Sequence, residues 1–266
     1  MASTIRTLSA LLFAAFILIA GNGLQGTLLA VRGNIEGFSL TMIGLLMSAY
    51  FVGFIAGCRY APGMVKRAGH IRSFTALASI ASASALAHIL AVEAPIWIIL
   101  RCITGFCLAG LYMILESWIN ESATNETRGR ILITDLTAAT AGQMLLAIGD
   151  PAQFTLFAIV SILISLALVP VAMTTSAAPR PISNATLNLK KILRISPLAA
   201  AGCFAVGAAN GAFWAIGAVY VQRLGYEVAS VAAFMSAVVI AGAFSQWPLG
   251  LLSDRVDRRL VIISVA

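Results

Sequence analysis

Charge is scarce in this chain. Lysine, arginine, aspartate and glutamate make up 10% of the residues, whereas apolar side chains make up 60%. A soluble domain carries about 25% charged residues, because it must cover its surface with groups that water solvates. The composition therefore excludes a soluble globular protein and predicts an all-α integral membrane protein.

The residue types that build catalytic and metal sites are also few. The chain has two histidines, His70 and His88, and four cysteines without metal-ligand or disulfide spacing. No aspartate or glutamate lies near the middle of a long apolar run. A membrane-embedded enzyme needs a polar catalytic cluster. The sequence thus predicts no enzyme, no cofactor and no metal site, and a membrane-embedded enzyme stays only as an alternative.

Long apolar runs are what the chain has in abundance. About 20 apolar residues span a bilayer as a helix, and eight runs reach roughly that length. They are Leu8–Val31, Leu40–Ala61, Ser73–Val92, Pro95–Trp118, Ile131–Ile148, Phe154–Val171, Pro197–Val221 and Val228–Leu251. A ninth run begins at Leu260 and reaches the last residue, Ala266.

Basic residues alternate between the loops in a way that orients these runs. If the N-terminus is cytoplasmic, 14 of the 17 lysines and arginines fall on the cytoplasmic side, two (Arg32 and Arg223) fall outside, and Arg101 lies within a run. Positive charge collects on the cytoplasmic side of membrane proteins. The pI near 9.7 therefore indicates topology rather than nucleic-acid binding, and we expect a multi-pass protein with a cytoplasmic N-terminus.

One polar stretch divides the runs into two groups. Residues 174–196 are rich in Ser, Pro, Asn and Thr and then in Lys and Arg. We interpret them as a cytoplasmic linker between a six-helix bundle, residues 1–173, and a second group of helices, residues 197–266. The segment 187–195 is either a short amphipathic helix on the membrane surface or a solvated tether.

A compact charged loop follows the eighth run. It contains Gly250, Asp254, Arg255, Arg258 and Arg259 in the pattern Gly-x-x-x-Asp-Arg-x-x-Arg-Arg. This pattern resembles the signature loop of major facilitator superfamily transporters, where it follows the second and eighth transmembrane helices. A weaker copy follows the second run, and its Gly69 precedes the equivalent position, Asp257, by 188 residues.

The resemblance implies a fold and a mechanism. Members of the superfamily have two six-helix bundles that rock around a central site to expose it to either side of the membrane in turn. We therefore expect a secondary active, proton-coupled transporter of a small solute, in a bacterial inner membrane. The family has twelve helices, so we also expect that this chain carries an incomplete second bundle. A non-transporting membrane fragment is the other alternative.

The resemblance also implies gating roles for the two loops. Asp254, Arg255, Arg258 and Arg259 match the charge network that latches one conformation in the family, as do Arg67, Gly69 and Arg72 of the first copy. In the first copy Lys66 stands where the acid is usual. We expect Glu116 to supply that acid, with Arg59, Arg72 or Arg130 as its partner. The plainer explanation is that these are only topology-setting loop charges.

Arg101 is a cation well inside the fourth run. It follows Pro95 by six residues, so it lies roughly 9 Å from the outer end of the helix at 1.5 Å per residue. With Gly105 and Gly110 it resembles the fourth-helix motif of the family, an arginine followed by spaced small residues. Intramembrane cations usually serve function. The alternative is an arginine that extends toward the interface or bonds only to backbone.

Polar pairs on the first and seventh runs complete the predicted cavity wall. Asn22 and Gln25 are three residues apart, and Asn210 and Trp214 are four apart, so each pair shares a helix face. In the family the first, fourth and seventh helices line the cavity. The alternative is that the amides join helices that pack closely through neighbouring glycines, such as Gly207 and Gly211. Gln143 is expected to be structural.

Overall fold

The computed structural model describes residues 2–122, 128–173 and 193–256, all of them in helices or short connections. Eight long helices cross this part of the chain: α1 (Ala2–Ile35), α2 (Leu40–Ala68), α3 (His70–Leu90), α4 (Ala94–Ser122), α5 (Arg128–Leu145), α6 (Thr155–Leu166), α7 (Pro197–Arg223) and α8 (Val228–Arg255). A 3₁₀ turn, Leu146–Ile148, extends α5, and a short helix, Leu168–Ala172, extends α6.

Each helix, with its extension, is long and apolar enough to cross a membrane. The prediction of an all-α membrane protein with eight spans is therefore confirmed. Several helices are longer than the apolar runs, and α2 continues from Ala61 to Ala68. The extra turns carry charges such as Lys66 and Arg67, which suit the headgroup region rather than the hydrocarbon. Most of the predicted linker and the start of a ninth helix lie outside the described residues.

Capping residues mark the start of several helices. The Ser39 side chain accepts a hydrogen bond from the Met42 amide at 3.2 Å and so caps α2. Ser196 caps α7 in the same way, and Pro197 occupies the first turn. A single residue, Gly69, joins α2 to α3 with φ +85° and ψ 165°, a conformation that is essentially restricted to glycine.

Glycines bring α2 and α4 into close contact. A Cβ atom placed on Gly53 would overlap the Cys102 carbonyl, and one on Gly105 would overlap the Tyr50 carbonyl. One on Gly57 would stand 2.5 Å from the Phe106 carbonyl oxygen. Small residues let backbones approach in this way when lipid supplies no hydrophobic drive for association. The contact fixes the position of Tyr50 against α4.

Serine hydroxyls join α3 to α6. The Ser82 Oγ lies 2.6 Å from the Ser161 Oγ and 2.9 Å from the Ser165 Oγ, and it also lies 3.1 Å from the Ser161 carbonyl oxygen. Hydrogen bonds between membrane helices contribute about 0.6 kcal/mol each on average. We call these three side chains the serine cluster.

Helices α7 and α8 pack against the first six along part of their length. α7 contacts α1 and α2, and α8 contacts α5. Towards the C-terminal end of α7, Ala215, Ala218, Val219 and Val221 are buried. Residues 201–210, in the N-terminal half of the same helix, are exposed. The contact between the two parts of the chain is therefore concentrated at one end of the bundle.

Candidate functional site

A cavity of about 250 Å³ lies where α1, α2, α4, α5 and α7 meet. Small-molecule sites usually measure roughly 300–1,000 Å³. This cavity lies just below that range, so it suits a small solute. Its lining combines glycines, apolar and aromatic side chains with a few polar groups. The lining residues are Ile19, Asn22, Gly23, Gly26, Thr27, Met47, Tyr50, Phe51, Arg101, Ala139, Gln143, Gly211, Trp214 and Ala215.

Asn22 links α1 to two tyrosines at the cavity. Its Nδ2 donates to the Tyr112 hydroxyl at 3.1 Å and to the Tyr50 hydroxyl at 3.4 Å. Its Oδ1 is buried and has no hydrogen-bond partner. A buried acceptor without a partner is costly, so this oxygen is ready to accept a hydrogen bond from a ligand or a water molecule.

Arg101 enters the cavity from α4 and is only 4% exposed. Its guanidinium carbon lies 4.5 Å from the centroid of the Tyr50 ring, which is a cation–π contact. The Nε and Nη1 atoms are buried and have no hydrogen-bond partner. A Cβ on Gly26 would stand 3.9 Å from Nη2. The lining contains no aspartate or glutamate, so the cation faces the cavity without a neutralising charge there.

Thr27 and Gln143 join α1 to α5 at the edge of the cavity. The Thr27 hydroxyl donates to the Gln143 Oε1 at 2.5 Å, and the Gln143 Nε2 donates to the Gly23 carbonyl at 3.4 Å. A Cβ on Gly142 would come within 2.5 Å of the Ala20 carbonyl oxygen. Gln143 therefore makes the interhelical bonds expected of a structural residue and also lines the cavity.

Three of the five predicted cavity residues line the cavity, and two do not. Asn22, Arg101 and Trp214 line the cavity. Gln25 is fully buried outside the lining, and neither end of its amide has a partner. Asn210 is exposed, one turn from Trp214 and outside the lining. A shared helix face therefore did not bring both members of either pair to the cavity.

The alternative of close packing at Gly207 and Gly211 has no support from the described residues. A Cβ on either glycine would meet nothing within 4 Å among them. Within this part of the chain, the N-terminal half of α7 stands away from the first six helices. Gly211 instead borders the cavity.

Polar side chains join α1 and α7 at the opposite end of the bundle from the signature loops. The Asn34 Nδ2 donates to the Gln222 Oε1 at 3.0 Å, and the Arg223 Nε donates to the Asn34 Oδ1 at 2.8 Å. Nearby, Arg32 forms an ion pair with Glu36 and donates to the Pro151 carbonyl at 3.2 Å. We call Asn34, Gln222 and Arg223 the end clasp.

The predicted gating residues are only partly described. Arg67 and Arg72 are exposed around Gly69. Within the described side chains, no ion pair joins Glu116 to Arg72. Asp254 and Arg255 belong to the last turn of α8. Arg258 and Arg259 lie outside the described residues.

Sequence reasoning did not single out Tyr50, Tyr112, Thr27 or the members of the end clasp. The tyrosines are flanked by apolar residues on helices that are apolar on most sides, so no periodic pattern shows which face they occupy. The one available signal was the glycine spacing of α2 and α4, since Gly53 and Gly105 mark the faces that meet.

The membrane-spanning helices and the central cavity define a multi-pass, all-helical membrane protein. The sequence profile of the Major Facilitator Superfamily matches residues 11–266. The chain belongs to this superfamily, as its signature loops predicted.

Relatives and solved structures agree with this assignment. An uncharacterized MFS-type transporter, YcaD, of Escherichia fergusonii is 25% identical over 226 residues, which are 83% of this chain and 59% of the relative. YcaD of Escherichia coli O6:K15:H31 (strain 536 / UPEC) is 24% identical over 268 residues, 98% of this chain and 70% of the relative. The chain thus spans less than two thirds of the length of the first of these relatives.

The fold is also shared with transporters of known structure. A mutant of the nucleoside transporter NupG superposes with a TM-score of 0.76 at 12% identity, over 94% of this chain and 68% of the other. A D-xylose-proton symporter superposes with a TM-score of 0.61 at 17% identity, over the same shares of the two chains. At these identities the likeness shows the fold alone.

Proposed function

We propose that this protein is a secondary active transporter that moves a small solute across a bacterial inner membrane by alternating access. The observation that carries the proposal is the cavity, which α1, α2, α4 and α5 of the first bundle form together with α7. A site built from both parts of the chain changes its exposure when those parts rock against each other. The proposed moving units are residues 1–173 and the helices after residue 196, and the proposed orientation has a cytoplasmic N-terminus.

The end clasp supports an inward-facing state in this orientation. Asn34, Gln222 and Arg223 then lie at the outer surface, and their hydrogen bonds join α1 to α7 there. The exposed half of α7, residues 201–210, lies towards the cytoplasm. Contact at the outer end and separation at the inner end is the arrangement that gives the cavity access to the cytoplasm.

Proton coupling is part of the proposal. Glu116 on α4 and Asp135 on α5 are acidic residues within membrane spans, and their negative charges repel each other. Acidic residues at membrane depth commonly serve proton relays. We propose that this pair takes up and releases the coupling proton, while the cavity holds the solute.

Transport by the purified protein tests the proposal. The protein is expressed from its own gene, reconstituted into vesicles that contain a pH-sensitive dye, and exposed to a panel of nucleosides, D-xylose and small carboxylates. At least one solute should move protons across the membrane in a saturable manner. The absence of such movement, together with no accumulation of any solute, would refute the proposed function.

Cross-linking the end clasp tests alternating access. Cysteines replace Asn34 and Gln222 in a background without the four native cysteines, and a short bis-thiol reagent joins them. The joined protein should lose transport, because the outer side can no longer open, and a reducible linker should restore it on cleavage. Each single cysteine treated with the same reagent is the control. Unchanged transport after complete cross-linking would contradict this mechanism.

A further inference from the structure

We infer that the solute carries one carboxylate, which binds the Arg101 guanidinium, on an apolar body that fills the rest of the cavity. This inference rests on the proposed function, since it assigns the ligand class to the same cavity. The charge of Arg101 is the strongest constraint in the site.

Arg101 has less compensation than a buried charge requires. It is 4% exposed, and its Nε and Nη1 donors have no partner. The Tyr50 ring at 4.5 Å attracts the cation, but a ring quadrupole is a weaker partner than a full negative charge. A guanidinium is the side chain best shaped for two parallel hydrogen bonds to a carboxylate.

The surroundings of Arg101 leave that position open to a ligand. No carboxylate occurs among the lining residues, so none of them neutralises the guanidinium. Gly26 faces the guanidinium, and even a Cβ added there would remain 3.9 Å from Nη2. A side chain larger than glycine at this position would occupy the space beside the cation. Glycine leaves that space free.

The charge count of the cavity selects a monoanion. Within the described part of the chain, Arg101 is the one cation that lines the cavity. A dianionic phosphate would exceed the available positive charge, and it would lose more solvation on entry than one arginine restores. A carboxylate matches both the charge and the planar fork of the guanidinium.

The other lining residues indicate the polarity and size of the rest of the solute. Met47, Phe51 and Trp214 provide apolar and aromatic surface. The buried Asn22 Oδ1 is an unused acceptor, so a donor on the solute adds specificity without being required. With a volume of about 250 Å³, the cavity suits a compact molecule such as an aromatic or short-chain carboxylic acid.

Matched pairs of probes isolate the charge. Benzoate and benzamide have nearly the same shape, as do butyrate and butyramide, and only the acids are anionic at neutral pH. Ligands that bind the folded state raise the unfolding temperature. We expect at least one carboxylate to raise the unfolding temperature of the purified protein, and its amide to do so far less.

Variants locate the binding charge. Arg101→Gln should weaken carboxylate binding on the order of 30-fold or more, since it removes the charged partner of a buried pair. Arg101→Lys should retain part of the affinity. The control is Arg59→Gln, because Arg59 also lies over a tyrosine ring, Tyr60 at 5.7 Å, but both of those residues are exposed. This control should bind as the unaltered protein does.

The outcomes separate this inference from the proposed function. Equal binding of acids and amides, unchanged binding in Arg101→Gln, or binding of none of the four probes overturns the carboxylate site. Transport of a neutral solute that Arg101→Gln leaves intact also overturns it, while the transporter function stands. Arg101-dependent carboxylate binding without any solute movement would refute transport and leave the site. The comparison of each acid with its amide uses the unaltered protein, so it does not depend on the folding of any variant.

Discussion

Gly105 is a position where a single methyl group should disturb the packing around the cavity. A Cβ placed there would overlap the Tyr50 carbonyl oxygen and stand 3.0 Å from the Phe54 amide nitrogen. Ordinary carbon–oxygen contacts measure about 3.3–3.6 Å. Gly105→Ala must therefore push α2 and α4 apart by roughly 1 Å, because the neighbouring atoms are backbone and cannot rotate away.

The cost can be estimated from two opposing effects. Overpacking a tight contact costs about 1–3 kcal/mol. Alanine in a helix interior is favoured over glycine by about 0.5–1 kcal/mol. The net loss for Gly105→Ala is on the order of 1–2 kcal/mol. At about 2–4 °C per kcal/mol for a protein of this size, the unfolding temperature should fall by roughly 2–8 °C.

Gly63 provides the matched control. It lies in the same helix pair, within α2, and a Cβ added there meets nothing within 4 Å. Gly63→Ala should leave the unfolding temperature unchanged or raise it slightly, since only the helix preference remains. Thermal unfolding of both variants in the same detergent measures the difference. Equal shifts in the two variants would refute the close α2–α4 contact and the placement of Tyr50 that depends on it.

Three further predictions concern the loops and Glu116 of α4. In a cysteine-free background, cysteines at Arg67 and Arg258 should react with an impermeant thiol reagent only from the cytoplasmic side, and reaction from outside would reverse the orientation. Glu116→Gln and Arg72→Gln should each reduce transport, and the double variant should lose less than the sum if the two act as one gate; additive losses would separate them. Gly69→Ala should lower the unfolding temperature, because φ +85° with ψ 165° costs a side chain about 1–3 kcal/mol, and an unchanged temperature would contradict that backbone conformation.

The membrane spans were predictable because one physical requirement controls them. A helix must present apolar residues over the thickness of the bilayer, and runs such as Leu40–Ala61 and Pro197–Val221 follow directly from that rule. The helix ends were less predictable. The last turns of α2 continue through Lys66 and Arg67, where hydropathy no longer marks the helix, although Gly69 marks its end.

The cavity was predictable only where charge or family resemblance distinguished a residue. Arg101 stood out as an intramembrane cation, whereas Tyr50 did not. Gln25 shows the limit of reasoning from helix faces, because it is fully buried outside the cavity lining while Asn22 lines it. Which arc of a helix faces a cavity depends on the crossing of its neighbours, and a single sequence does not contain that information.

The serine cluster bears on how the first bundle moves. Its hydroxyls join α3 to α6, and the cavity lining contains no residue of either helix. A slide of one helix along the other by a single turn, about 5.4 Å, would separate Ser82 from at least one of its two partner hydroxyls in lipid, where no water replaces it. Spin labels on α3 and α6 should thus report one narrow, constant distance throughout the transport cycle, and that pair supplies an internal reference frame against which the displacement of α7 can be measured.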